Sequence, residues 1–290
     1  MAKYDLKAKI AEAAKTGPNM TEATGGGGDY TPPEKGMAWA RFVGYFETGK
    51  HEEEYEGKKS DRNKVDLVFE LSGPNHEPRR LDDGTLIPQR VTAQETLSTS
   101  DKANFFKMFA AMNYAGKATH MAELLGEAFY VEIFHKKSKD GKKTYATMKG
   151  AKNTLPVGNG YVIKGPSVQD PMTGKAQLIP VPAPITELKA FIWDIADKDM
   201  WDSIFIEGEY PEQKDDKGEV TKAARSKNAI QQKIMRAKNW AAHPLASIVA
   251  AGGVTPDLPE AEEPGREPGE DDDLPGVGET AGADPLANIG

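Results

Sequence analysis

Five lysines fall within eight positions of one short stretch, HKKSKDGKK from His135: Lys136, Lys137, Lys139, Lys142 and Lys143. Tyr130 and Phe134 precede them and Tyr145 follows. Earlier in the chain Trp39, Arg41 and Tyr45 recur at odd positions of one apolar segment. Lys58, Lys59, Arg62, Lys64 and Arg90 add further cations, offset in part by Glu52, Glu53 and Glu54. Single-stranded nucleic acid is bound by cations that follow its phosphates and flat rings on which its bases stack, each stacked base contributing roughly 1–3 kcal/mol. A lysine-rich turn is also what any solvated hairpin looks like, and strand aromatics also fill cores. Which elements carry these residues decides between the two.

Catalytic chemistry is harder to place. The five histidines (His51, His76, His120, His135, His243) show no pair at metal-ligand spacing. No serine sits in a G-x-S-x-G elbow, and the run Gly25–Gly28 is followed by no Gly-Lys-Ser/Thr. Cysteine is absent, which removes disulfides, thiolate zinc sites and cysteine nucleophiles together. Asp194, Asp197, Asp199 and Asp202 crowd one stretch and could hold a hard cation, but their spacing is not that of a calcium loop. Helix capping and a solvated face account for them more simply. Glu187-Leu188-Lys189 has the E-x-K of metal-dependent nucleases without a clear upstream partner. The expectation is a non-enzyme without metal or cofactor, with a metal-dependent nuclease as an alternative.

The elements that would position the binding residues follow from a period-two pattern. Met37 to Glu47 alternates, with Ala40, Phe42, Gly44 and Phe46 on one face and Trp39, Arg41, Val43 and Tyr45 on the other. Val65 to Leu71 is a second strand after a charged loop from Lys50 to Asn63, and Pro88 to Leu97 a third. Ser98 and Asp101 have capping-box spacing ahead of a helix bearing the apolar stripe Phe105, Phe106, Met108, Phe109 and Met112. A short helix around Met121 to Leu125 stops at Gly126. Phe129 to Lys136 and Lys143 to Lys149 are strands four and five, joined by a turn at Lys139-Asp140-Gly141-Lys142. Three strands, a helix and two strands over residues 36–152 is the order of an OB-fold, a five-stranded Greek-key barrel whose fourth-to-fifth-strand loop flanks the binding groove.

Beyond that the composition changes. Residues 153–252 start as a Pro- and Gly-rich arm, with a hairpin expected between Tyr161 and Ile179. Helices are expected after Thr186, after Asp199 and over Ser226 to Ala241, with a last turn over Pro244 to Ala251. Residues 1–35 read as a short helix (Lys3 to Lys15) and a flexible glycine linker. Residues 253–290 hold eleven acidic residues against one arginine, a net charge of −10, so with a chain total of −8 the rest sums to +2. This tail has no aromatic residue and reads as disordered. An acidic tail on a slightly basic body suits a protein that handles nucleic acid, and also a plain solubilising terminus. No apolar run reaches a membrane span and the first residues lack a secretory pattern, so the cytoplasm is expected, that of a host cell if the chain is viral.

Over residues 36–150 the chain resembles single-stranded DNA-binding proteins of bacteriophage replication and recombination modules. The likeness rests on ARFVGYFETG, VDLVFEL, TSDKANFFKMF and the lysine hairpin, with MWDSIFIEGEY and SKNAIQQKI similar to their C-terminal parts. Glu270-Asp271-Asp272-Asp273-Leu274-Pro275 is similar to the acidic tails of bacterial and T7-type single-strand binding proteins. The resemblance implies coating of exposed strands and docking of a polymerase, helicase or recombinase on the tail. Such tails end in an aromatic residue, whereas this one runs on to Asn288-Ile289-Gly290. A virion structural or assembly protein built on the same barrel is the other alternative.

Overall fold

One long antiparallel hairpin organises the molecule: β1 (Gly36–Tyr55) and β2 (Lys58–Ser72). The computed structural model describes residues 31–252 except 56, 82–83, 139–140, 142–143, 151–159, 215–217, 219 and 223. The expected helix at Lys3 to Lys15, most of the glycine linker and the whole acidic tail lie outside the described residues. The segment expected as a charged loop, Lys50 to Asn63, is strand: pairing runs unbroken from Gly49↔Lys64 to Tyr55↔Lys58. Gly57, at φ 75°, supplies the left-handed turn that closes it. Charged residues alternate with half-buried ones there, so the apolar period that marks a strand is missing although the strand is present.

β5 (Arg90–Thr96) pairs with β2. β6 (Ala128–Lys137) pairs with β1 and with β7 (Thr144–Thr147), giving the path β5-β2-β1-β6-β7. All these pairs are antiparallel. The small hairpin β3 (Arg79–Arg80) with β4 (Leu86–Ile87) lies between β2 and β5 in the chain. β8 (Ile163–Lys164) adds to β6, and β9 (Ser167–Gln169) with β10 (Ala176–Leu178) forms the hairpin expected in the arm. β11 (Lys189–Phe191) joins β1 in parallel where a helix after Thr186 was expected.

The sheet is not closed into a barrel. β7 is four residues long, and β6 leaves β1 at Arg41↔Ala128, after which β11 takes the place beside Gly44–Phe46. No ladder joins β5 to β7 among the described residues. Side chains bridge further along instead: buried Glu95 on β5 meets the buried Lys149 Nζ at 3.5 Å and accepts the hydroxyl of half-buried Tyr161.

Two bulges in β1 set the cores. Register passes from Phe42↔Phe69 to Gly44↔Val68, so Val43 is an extra residue; Thr48 is another between Glu47 and Gly49. A single extra residue exchanges the faces of everything after it. Phe42 and Tyr45 therefore both enter the first core, with Leu67, Phe69, Leu71, Val91, Phe129, Val131 and Ile133. Helix α1 (Asn104–Met112) covers it with Phe105, Met108 and Met112, one face of the helix. The helix starts after Ala103 with no side-chain cap, so the expected Ser98–Asp101 box is not formed; the Ser98 hydroxyl accepts the Ser100 N–H in a turn ahead of it. The expected short helix is a 3-10 turn, Met121–Leu124, with a reciprocal cap between His120 and Glu123.

Phe46 points the other way, into a second core with Phe191, Trp201, Ile204, Ile234, Trp240, Leu245 and Val249. Its helices are α2 (Lys198–Ser203), α3 (Ala229–Met235) and α4 (Pro244–Ala251). Asp197, not Asp199, caps α2 by accepting the Met200 N–H at 2.9 Å. The helix expected from Ser226 to Ala241 is shorter, because the chain turns at Arg236 and resumes as a 3-10 turn at Trp240–Ala242. Trp201 and Trp240 stack with centroids 5.2 Å apart. Both cores belong to one compact unit, residues 31–208 with 227–252 of the described chain. A smaller unit contains the two-stranded ladders of Glu209–Ser226, β12 (Glu209–Tyr210) with β15 (Arg225–Ser226) and β13 (Gln213–Lys214) with β14 (Val220–Lys222).

Candidate nucleic-acid interface

Where β1 and β6 pair, residues on the side away from the first core stand in rows. Trp39 is opposite Tyr130, and their rings lie 4.5 Å apart at 33°. β8 brings Lys164 opposite Tyr130 on the other side, with its ammonium 5.1 Å from the ring centroid, within cation–π range. Both rings are half-buried and Lys164 is exposed. Gly73 passes close to the indole: a Cβ there would come within 3.2 Å of Trp39 Cδ1. Phe134 and Lys136 continue the same face of β6 at two-residue steps, and Met37 lies exposed beside them on β1, opposite Glu132. A row of two rings with a cation over one can stack a base and hold its phosphate.

Other residues expected at this interface have different work. Tyr45 is fully buried, its hydroxyl donating to Glu47 at 2.7 Å, because the Val43 bulge turns it inward. Burial first, then the Glu47 charge and hydrogen bond, push its phenol far above the usual tyrosine range. Lys64, 4% exposed, is held by Glu53 and Thr96, each at 2.7 Å. Tyr145 is buried, opposite Lys136. Arg41 donates to the carbonyls of Gly126 and Pro182, each at 2.9 Å, and to that of Val181.

Lys58, Lys59 and Arg62 belong to the far end of the β1–β2 hairpin. Thirteen register positions separate Trp39↔Ser72 from Glu54↔Lys59, about 43 Å of strand. There Glu52 binds Lys59 at 2.7 Å and Lys238 at 3.0 Å, and Lys238 binds Asp61 at 2.6 Å. These hydrogen bonds, Lys59 first, lower the Glu52 carboxyl to about 2. Arg62 Nε donates to the Ser60 hydroxyl at 3.2 Å, and Lys58 is exposed. Arg90 is exposed on β5, opposite Glu70. Of the lysine hairpin, Lys136 is half-buried and Lys137 exposed; Lys142 and Lys143 lie outside the described residues, as do Glu270, Asp271, Asp272, Asp273 and Leu274.

Lys164 is the residue that sequence reasoning missed. It lies in a two-residue strand within a Pro- and Gly-rich arm, where no period can be read. The four aspartates form no metal-binding group among the described residues: Asp197 caps α2 and Asp202 pairs with Lys198. No described helix is long and apolar enough to cross a membrane. No family model matches the chain, and no match emerges among curated proteins or solved structures.

Proposed function

We propose that the chain binds single-stranded DNA on the outer face of β1 and β6, as an OB-like protein of a phage replication or recombination system that coats exposed strands. The observation that carries this reading is the Trp39–Tyr130–Lys164 row, two rings packed at 4.5 Å with a 33° tilt and a cation over one of them. The path β5-β2-β1-β6-β7 supports it, being the order 3-2-1-4-5 in which an OB-fold, itself partly open, arranges its strands. Sequence-tolerant binding follows from such a site, since every base has a π-face and every nucleotide a phosphate. The acidic tail would recruit replication proteins such as a polymerase, helicase or recombinase.

Fluorescence tests it directly. Trp201 and Trp240 are buried and Trp193 packs against the same second core, so among four tryptophans Trp39 is the one that a base would meet. Adding oligo-dT should quench emission, and Trp39→Phe should abolish that quenching. Tyr130→Ala should weaken binding by about 1–3 kcal/mol. Absence of any salt-dependent binding to oligo-dT overturns the reading.

A further inference from the structure

Arg41 and Glu70 stand opposite one another across the β1–β2 ladder, and Arg90 stands opposite Glu70 on β5, so the three form one row on the outer face. Apart from the bond of Arg41 to the Gly126 carbonyl, both members of the Arg41–Glu70 pair direct their hydrogen bonds to the chain that passes over them. Arg41 donates to the carbonyls of Val181 and Pro182; Glu70, itself buried, accepts the N–H groups of Ile185 and Thr186, each at 2.7 Å. The passing segment contains Pro180, Pro182 and Pro184, which have no N–H to give a ladder. Of residues 180–185 Val181 alone is buried. The segment is therefore fastened chiefly by two side chains of opposite charge, through backbone groups that water or a ligand could replace.

We infer that residues 180–186 are a displaceable strap over the nucleic-acid face. Closed, the strap's carbonyls occupy Arg41. Arg41 lies two residues from Trp39 on the same face, within reach of the phosphate of a base stacked there. Arrival of a single strand exchanges two neutral carbonyls for a phosphate at Arg41, a stronger charge-assisted partner. Glu70 loses two N–H donors and gains Arg90, its other cross-strand neighbour, so opening strands no buried charge. The strap thus sets the fraction of molecules competent to bind, and apparent affinity falls by that fraction.

This inference rests on the nucleic-acid reading above, and the two are separated by one pair of measurements on the full chain. Hydrogen exchange at the Ile185 and Thr186 amides is followed with and without oligo-dT; opening makes both exchange faster when the strand is bound. Glu70→Gln, which weakens the anchor, should bind oligo-dT about tenfold more tightly. Glu132→Gln, on the same face but not bonded to the strap, controls for loss of a negative charge and should gain no more than about twofold. Binding by the wild type with those amides equally or better protected overturns the strap and leaves the nucleic-acid reading standing. So does a Glu70→Gln gain no larger than that of Glu132→Gln. Failure of every form to bind ends both.

Discussion

Glu47 accepts the backbone N–H of Trp193 on one carboxylate oxygen at 2.8 Å and the hydroxyl of Tyr45 on the other at 2.7 Å. One buried carboxylate on β1 thereby ties the first core, through Tyr45, to the second, through Trp193. Replacing it with Ala leaves two donors without a partner. Glu47→Ala should cost about 2–4 kcal/mol in urea unfolding, while Glu47→Gln, which keeps an acceptor, should cost less. Equal losses would mean that the hydrogen bonds do not matter there.

Tyr45 makes a pH prediction. Its folded-state phenol is raised above the unfolded value, so its stabilising contribution is complete below about pH 10 and declines above it as the unfolded chain ionises and the folded one does not. The fall in stability between about pH 10 and 11 should be shallower in Tyr45→Phe than in the wild type. An identical alkaline slope would remove Tyr45 from the account.

Gly49 is a packing test. Its φ is +85°, and a Cβ would fall 2.4 Å from Trp193 Cζ3 and 2.6 Å from Ala237 Cβ. Gly49→Ala should therefore destabilise by about 2–4 kcal/mol, combining backbone strain with overpacking. Gly57→Ala, with open space around it, should lose only the backbone part.

At the hairpin end, Glu52 should titrate near 2 by NMR. Its carboxyl is depressed, so what the network contributes is present above the ordinary glutamate range and lost as pH falls through 2. Lys238→Met should move that titration upward, with little change in melting temperature because the group is exposed. An unmoved titration would mean that Lys59 alone holds it.

Much of the first core was legible because alternation is a direct image of burial. Leu67, Phe69 and Leu71 on β2, and Phe129, Val131 and Ile133 on β6, lie where the period places them. Phe46 and Tyr45 were exchanged because a bulge at Val43 is a backbone event with no composition of its own. Arg41 and Lys64 carry charge, and charge in a strand reads as solvent-facing; their partners, the Val181 and Pro182 carbonyls and Glu53, come from pairings and chain crossings that no local pattern encodes. Trp39 and Tyr130 are each legible as strand aromatics, but their contact depends on register, which alternation leaves open by two-residue steps.

The second face of β1 and β2 bears on divisibility. Phe46 and Asp66 are neighbours in register, and both are buried by chain that follows residue 190: Phe191, Trp201 and Ile234 cover the ring, and Lys233 meets the carboxylate at 3.0 Å. A fragment ending at Gly150 would keep all five strands of the sheet's main path yet expose an aromatic residue and leave Asp66 without its cation. Although the composition changes near residue 153, folding does not respect that seam. Evolution could lengthen the arm between the two cores, but neither core is free to be exchanged as a cassette, because they share a strand.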